Sequence, residues 1–336
     1  MTMTATTSAP ETKHTNRGDQ MRRAFARNPV LGPTAALLVV MIFFSVATDT
    51  FLNVDNFSLI VQQSVVIGTL ALGQTLIILT AGIDLANAAI AVFGTLLLTK
   101  LTIGGVPPFI SILAGLVACT FIAMISGTLV TRMKLPPFIV TLGMLAVVTA
   151  VTNLYSAGTT YPVPDGLLTF LGTSLYLFGR IQFTMGMILA VILFVVMWFI
   201  LSKTGWGRHV YAVGNNDLAA KRTGINVRRV LLSVYVLAGV LYGLAALQAF
   251  GRSPATSPNA FPTANLDTIT AVVIGGTSLF GGRGTVLGSY LGALIVLVLQ
   301  SGLTQAGIDP LYQNIVTGVL VIAAVALDAV TRRKAR

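Results

Sequence analysis

The sequence predicts an all-α integral membrane protein of about ten transmembrane helices, some of them broken, with both termini cytoplasmic. Three observations carry this expectation. Of the 336 residues, 55% are hydrophobic and only 9% charged; the apolar residues fall into ten long runs; and the basic residues gather in alternate connecting segments. Soluble domains carry roughly 25% charged residues, so this composition takes lipid as its solvent. The formal charge of +11 invites a nucleic-acid reading. Lys and Arg sit between apolar runs rather than on a basic soluble face, and that reading is set aside: no nucleic acid is expected as a partner.

A helix needs about 20 mostly apolar residues to cross a bilayer. Suitable runs lie near 31–51, 59–81, 85–101, 108–131, 138–156, 183–202, 230–250, 267–281, 285–302 and 311–330. The third and eighth are short and punctuated by glycine, which reads as broken or tilted helices. Such breaks survive at membrane depth only where they are buried in protein or line a cavity, and they point to a translocation path. Lys and Arg near span ends set orientation. With the N-terminus inside, eighteen of the 21 basic residues lie inside, and only Lys100, Arg180 and Arg252 lie outside. The chain divides into a cytoplasmic tail (1–30), a transmembrane domain (31–331) with a long cytoplasmic loop at 203–229, and a basic tail (332–336). The first 28 residues show no apolar stretch with a small-residue cleavage site, so the tail is expected to be retained. The first apolar run then acts as signal and anchor together. The external segment 157–182, with Pro162, Pro164 and Asp165, is expected to be a loop with some local helix.

Catalytic chemistry finds little support. Cys119 is the single cysteine, inside an apolar run, and reads as a small buried hydrophobe. His14 and His209 do not make a metal site, so neither metal nor cofactor is expected. The stretch Gly275 to Gly284 lacks the Lys of a phosphate-cradling G-x-x-x-x-G-K-[ST] loop and reads as helix packing plus a turn. Glu11 is the only glutamate. The chain is expected not to be an enzyme, and no residue is assigned a catalytic role. An ion-driven carrier would place ionisable groups within its spans; the candidates are Asp84 and Asp267, with Asp328 near a cytoplasmic end. Both Asp84 and Asp267 stand where they can instead cap the following helix. Gln62, Gln63 and Gln74 in the second span either bridge helices or face a hydrated pore. Pro136-Pro137 sets the start of the fifth span. Pro107-Pro108-Phe109-Ile110 echoes it, too briefly to establish an inverted repeat. Trp198 and Trp206 read as interfacial belt residues. Gly239/Gly243 and Gly288/Gly292 have the spacing of close helix contacts, with a dimer seam as one place for them.

Within 203–229, Asn215-Asn216-Asp217 begins a helix-forming stretch that runs to Arg222, and Gly224 stands where a C-terminal glycine is expected. A short amphipathic helix there can dock on a motor protein; the alternative is a solvated basic linker.

Several motifs then converge. They are Gly73-Gln74-Thr75-Leu76 with Ala81-Gly82-Ile83-Asp84-Leu85, Leu135-Pro136-Pro137-Phe138-Ile139-Val140-Thr141-Leu142-Gly143, Thr204-Gly205-Trp206-Gly207-Arg208, and Tyr211 to Asn216 with Ala219-Ala220. Thr223 to Val227, Leu266-Asp267, Ala271 to Leu279 and Gly281 to Val286 complete the series. In this order and spacing the chain strongly resembles the ribose-type permease subunits of bacterial ABC importers for monosaccharides. The resemblance implies two permease chains (identical or different), cytoplasmic ABC ATPase subunits, a periplasmic sugar-binding protein, and a place in the lipid of the bacterial inner membrane. It implies ATPase coupling through Gly214, Asn215, Asn216, Ala219, Ala220 and Gly224. It implies a substrate pathway past Gln74, Asp84, Asn87, Phe138, Thr141, Asn265, Asp267 and Thr277. An ion-coupled secondary carrier and an ABC permease for amino acids are the alternatives. The chain departs from the family in two places. Where the family usually reads Gly-Gly-Ile-Asp-Leu-Ser followed by small residues, this chain has Ala81 and Ala86-Asn87-Ala88. Where a Glu commonly precedes Leu-Asp, it has Asn265. Together these imply a retuned pathway or gate.

Overall fold

The computed structural model describes residues 30–164, 166–177, 181–250, 253 and 255–334. The expectations for 1–29, Asp165, Arg180, Arg252 and 335–336 lie outside the described residues.

Each apolar run forms a helix. These are α1 (Leu31–Ala47), α2 (Val54–Leu79), α3 (Asn87–Ile103), α4 (Pro108–Arg132), α5 (Pro137–Ser156) and α6 (Met185–Lys203), then, after two short helices, α9 (Val227–Ala249), α10 (Ala264–Ile274), α11 (Val286–Gln305) and α12 (Pro310–Lys334). The short pair is α7 (Gly205–Asn215) and α8 (Asp217–Arg222). Seven helices, α2, α4, α5, α6, α9, α11 and α12, are long and apolar enough to cross a membrane, whereas α1, α3 and α10 are shorter. The protein is therefore a largely helical, multi-pass membrane protein. At 1.5 Å per residue, α10 covers only about 16 Å, half the hydrocarbon thickness.

Helix starts follow local chemistry. Pro108 and Pro137 occupy first-turn positions after Pro107 and Pro136, where a missing N–H costs nothing. Thr285 caps α11 by accepting from the Gly288 N–H at 3.0 Å. The core forms around α2: 83% of its most apolar window is buried, against 6% for α12. A helix apolar on every side belongs in the interior. The α9–α4 and α10–α11 contacts are glycine-mediated. A Cβ at Gly239 would meet Ala123 and the Thr120 backbone, and one at Gly288 or Gly292 would strike the α10 backbone. These glycines thus make the close helix contacts their spacing predicts, but within one chain rather than at a dimer seam. Cys119 is buried with its Sγ 3.4 Å from the Ile90 carbonyl.

The segment after α5 holds strands that were not expected. Beside the expected local helix, a three-residue 3-10 helix at Phe170–Gly172, it holds β1 (Tyr161–Pro162) and the hairpin β2 (Ser174–Leu177) with β3 (Ile181–Thr184). Pro162, Pro164 and Gly166 prevent a continuous helix. β1 pairs antiparallel with β4 (Ala255–Thr256), joining two loops, and Thr256 donates to the Thr95 hydroxyl on α3 at 2.8 Å.

The connector 203–229 holds one more helix than expected. Thr204 caps α7 and Asn216 caps α8, its Oδ1 accepting from the Ala219 N–H at 2.9 Å. α7 is hard to read from sequence because Gly205, Gly207 and Gly214 lower its intrinsic propensity. Gly224 follows α8 at φ +88°. The Trp206 indole donates to Ser233 on α9 at 2.8 Å. Trp198 is half exposed on α6.

Candidate functional site

Two helix breaks meet in the interior. The first follows α2. Its C-terminus closes as a Schellman turn, with Gly82 N–H to Ile77 O at 3.0 Å and Ala81 N–H to Ile78 O at 2.9 Å. Ala81 sits at φ +60°, the left-handed position that glycine usually fills. The family's glycine at this point thus has a conformational reason, and the alanine costs about 1 kcal/mol of strain. The chain then runs unwound through 82–86 before α3 starts.

An unwound segment among membrane helices must find partners for its backbone. Thr141 on α5 donates to Ile83 O at 2.9 Å. Asn265 on α10 donates to Leu85 O at 3.4 Å. Asp84 Oδ1 accepts from the Ala86 N–H at 2.8 Å, and its Oδ2 accepts from the Tyr242 hydroxyl on α9 at 3.0 Å. Asp84 therefore makes an Asx turn ahead of α3 and an interhelix bond. It does not cap α3, whose N-cap is Ala86 without a side-chain bond. Tyr242 reaches the carboxylate through a notch: a Cβ at Gly73 would lie 2.5 Å from its ring.

The second break precedes and follows α10. Asn87 donates to Thr268 at 2.7 Å and points its amide toward Gln74 Oε1 at 3.5 Å, a distance of marginal strength. Thr268 in turn donates to Asn265 O at 2.8 Å. Asp267 does not cap α10 either. It accepts from Gln300 on α11 at 3.0 Å and from Thr263 at 3.3 Å. Thr277 lies 3.5 Å from the Ser289 hydroxyl, which also receives a bond from Thr75 at 2.7 Å.

Gln74, Asp84, Asn87, Thr141 and Asn265 thus surround one break, Asp267 lies apart beside α11, and Thr277 lies under the α10–α11 turn. Phe138 is half exposed on the first turn of α5. Sequence reasoning missed Tyr242, Thr268 and Gln300. Tyrosines seven residues apart, Tyr235 and Tyr242, on one face of an apolar span were the available signal. An apolar groove of about 660 Å³ between α2, α6 and α11, walled by Val61, Phe194, Trp198 and Tyr290, holds none of the expected pathway residues.

The connector arm meets the same region. Gly282 N–H donates to Leu79 O at 2.9 Å, at the end of α2. A Cβ at Gly214 would overlap that carbonyl oxygen and come within 2.8 Å of Gly282 N. Tyr211 donates to Gly284 O at 3.0 Å. Asp328 on α12 accepts from Ser278 Oγ and Leu279 N–H at 3.0 and 3.1 Å. The glycine-rich stretch is a tight turn wedged between arm, α2 and α12.

A largely helical membrane chain, with two unwound segments meeting in its interior and an amphipathic arm clasped beside them, has the build of a transporter's membrane subunit. Residues 56–325 match the family described as branched-chain amino acid transport system / permease component. The chain is 43% identical over 315 residues to the fructose import permease protein FrcC of Rhizobium meliloti, covering 92% of this chain and 87% of that protein. It is 38% identical over 303 residues to the ribose import permease protein RbsC of Bacillus subtilis (89% and 92%). It is 34% identical over 293 residues to the D-allose transport system permease protein AlsC of Escherichia coli (87% and 88%). The chain belongs to this family of ABC importer permeases, in the branch whose relatives are named for sugars.

Proposed function

We propose that this chain carries a monosaccharide or similar small polyol across the bacterial inner membrane, as the permease subunit of an importer energised by separate ATPase subunits. The single observation that supports this best is the arm. Gly214 packs backbone to backbone on Leu79, and five residues further along the chain lies Asp84 in the unwound segment. A push on α7–α8 thereby reaches the end of α2 where the interior break begins. In this reading the chain crosses ten times with both termini cytoplasmic; 1–30 and 332–336 are tails around the permease domain. The ATPases grip 203–229 through Gly214, Asn215, Asn216, Ala219, Ala220 and Gly224, beside Leu218, an exposed apolar residue on α8. Two permease chains form the unit, and a periplasmic sugar-binding protein delivers the solute. The pathway passes Gln74, Asp84, Asn87, Phe138, Thr141, Asn265, Asp267 and Thr277. The names of the relatives support fructose, ribose and allose as the first solutes to test. None of these roles makes the chain itself an enzyme.

The test is uptake of labelled fructose, ribose and allose into proteoliposomes holding the chain alone, or with its ATPase and binding protein. Uptake that needs ATP and both partners is expected. Uptake by the chain alone, driven by a proton gradient, would refute the reading.

A further inference from the structure

Tyr235 and Tyr242 are the two largest fully buried side chains of α9, and they lie seven residues apart, two turns along one face. Each is seated in a glycine notch on a facing helix. A Cβ at Gly73 on α2 would lie 2.5 Å from the Tyr242 ring, and one at Gly127 on α4 would lie 2.6 Å from Tyr235 Cβ. The Tyr242 hydroxyl has its partner, Asp84. The Tyr235 hydroxyl is buried with none. A buried hydroxyl without a partner is destabilising, and one in a native interior calls for an explanation. The Asp84 carboxylate is bonded to only one of the two hydroxyls.

The two rings are fixed by their notches, whereas the carboxylate is held by hydrogen bonds alone. It rides on the unwound segment 82–86, whose near end at Leu79 is bonded to the turn at Gly282 and packed against Gly214 of the arm. Tyr235 lies nearer the end of α9 that joins the arm. We propose that Tyr235 is a positioning residue for transport: the second station of Asp84, taken when the unwound segment shifts toward the arm and leaves Tyr242. A slide of about one helical turn, ~5 Å, is a known scale for such rearrangements. The two residues stand about 10 Å apart along the helix axis, seven residues at about 1.5 Å each, and the aspartate side chain spans part of that gap. This inference rests on the permease reading above, and its readout is conformation rather than solute.

The test uses the full complex in nanodiscs, with Leu85→Cys as a reporter on the unwound segment in a Cys119→Ala background. Y242F deletes the first station and Y235F the second. Labelling by a membrane-impermeant thiol reagent is expected to change about tenfold, in opposite directions for the two variants, because each removes a hydrogen bond to a charged group in a different state. Y235F deletes an unpartnered hydroxyl and is expected to leave the melting temperature of the resting complex unchanged or raised, while slowing uptake. Shifts in the same direction, or Y235F labelling and uptake equal to wild type, would overturn the proposal. Should Y242F fail to assemble, Y235F alone decides: uptake lost with assembly and melting intact supports the proposal, and uptake retained overturns it. If the complex transports by some other coupling, the labelling still separates the two variants, so failure here is distinguishable from failure of the permease reading.

Discussion

Substituting Gly214 by alanine tests the junction between arm and membrane helices. The added Cβ would overlap Leu79 O and sit 2.8 Å from Gly282 N and 2.9 Å from Leu79 C. These are backbone atoms at the end of the most buried helix, so they do not move aside as a flexible side chain would. Carbon and carbonyl oxygen settle at about 3.3–3.6 Å, so the arm must retreat by roughly 1–2 Å. Retreat pulls Tyr211 from Gly284, while a Cβ that stays close presses on both atoms of the Gly282–Leu79 hydrogen bond. Overpacking costs about 1–3 kcal/mol and a lost buried bond about 1–3 kcal/mol. Because the two share one contact they overlap, leaving about 2–4 kcal/mol. The damage is local: α2, α9 and α11 keep their packing, and the chain still inserts. The expected result in proteoliposomes is an assembled complex whose ATP hydrolysis continues while uptake per ATP falls at least tenfold. Wild-type uptake by an assembled G214A complex would refute the claim that motion passes through this contact.

Three further outcomes follow from individual residues. A81G should raise the melting temperature of the purified chain, since glycine relieves the φ +60° conformation by about 1 kcal/mol; a lower value in a thermal-shift assay would show that no strain is stored there. N265D is nearly isosteric but turns the donor facing Leu85 O into an acceptor, and losing this part-buried bond costs about 1 kcal/mol. Uptake should fall while expression and monodispersity hold; unchanged kinetics would remove Asn265 from the site. G292A places a Cβ into the Ala271 carbonyl and should lower the melting temperature by separating α10 from α11, with no change confined to coupling.

How much was legible in the sequence depended on what each feature rests on. The apolar runs became helices because hydrogen-bond satisfaction in lipid leaves few other choices, and the Pro-Pro pairs marked two of their starts. The breaks near Asp84 and Asp267 were visible as short, glycine-punctuated runs. The roles of those carboxylates were not. Capping is a local rule, and both aspartates are held by partners far along the chain, Tyr242 and Gln300, which local spacing does not encode. The hairpin at 174–184 was missed because a few residues of strand inside a loop leave only a weak periodic signal. Gly214 was marked by resemblance, but its physical reason, a backbone seated on Leu79 O, needs three segments brought together.

The two departures from the family pattern lie in one hydrogen-bonded cluster. A glutamate at 265 would set a carboxylate against Leu85 O, two acceptors with no proton between them unless the acid were neutral. Asparagine supplies the missing donor, at 3.4 Å. On the facing side, Asn87 donates to Thr268 and Thr268 to the main-chain carbonyl of Asn265, so the new amide at 87 reaches the backbone of residue 265 through a single hydroxyl. The bonds close a loop: Leu85 to Asn265, Asn265 to Thr268, Thr268 to Asn87, and back along the chain to Leu85. Parting α10 from the unwound segment therefore breaks two bonds together, not one after the other. Cooperative networks of this kind favour two discrete arrangements over gradual drift. An arm that moves Leu79 would accordingly switch both breaks at once.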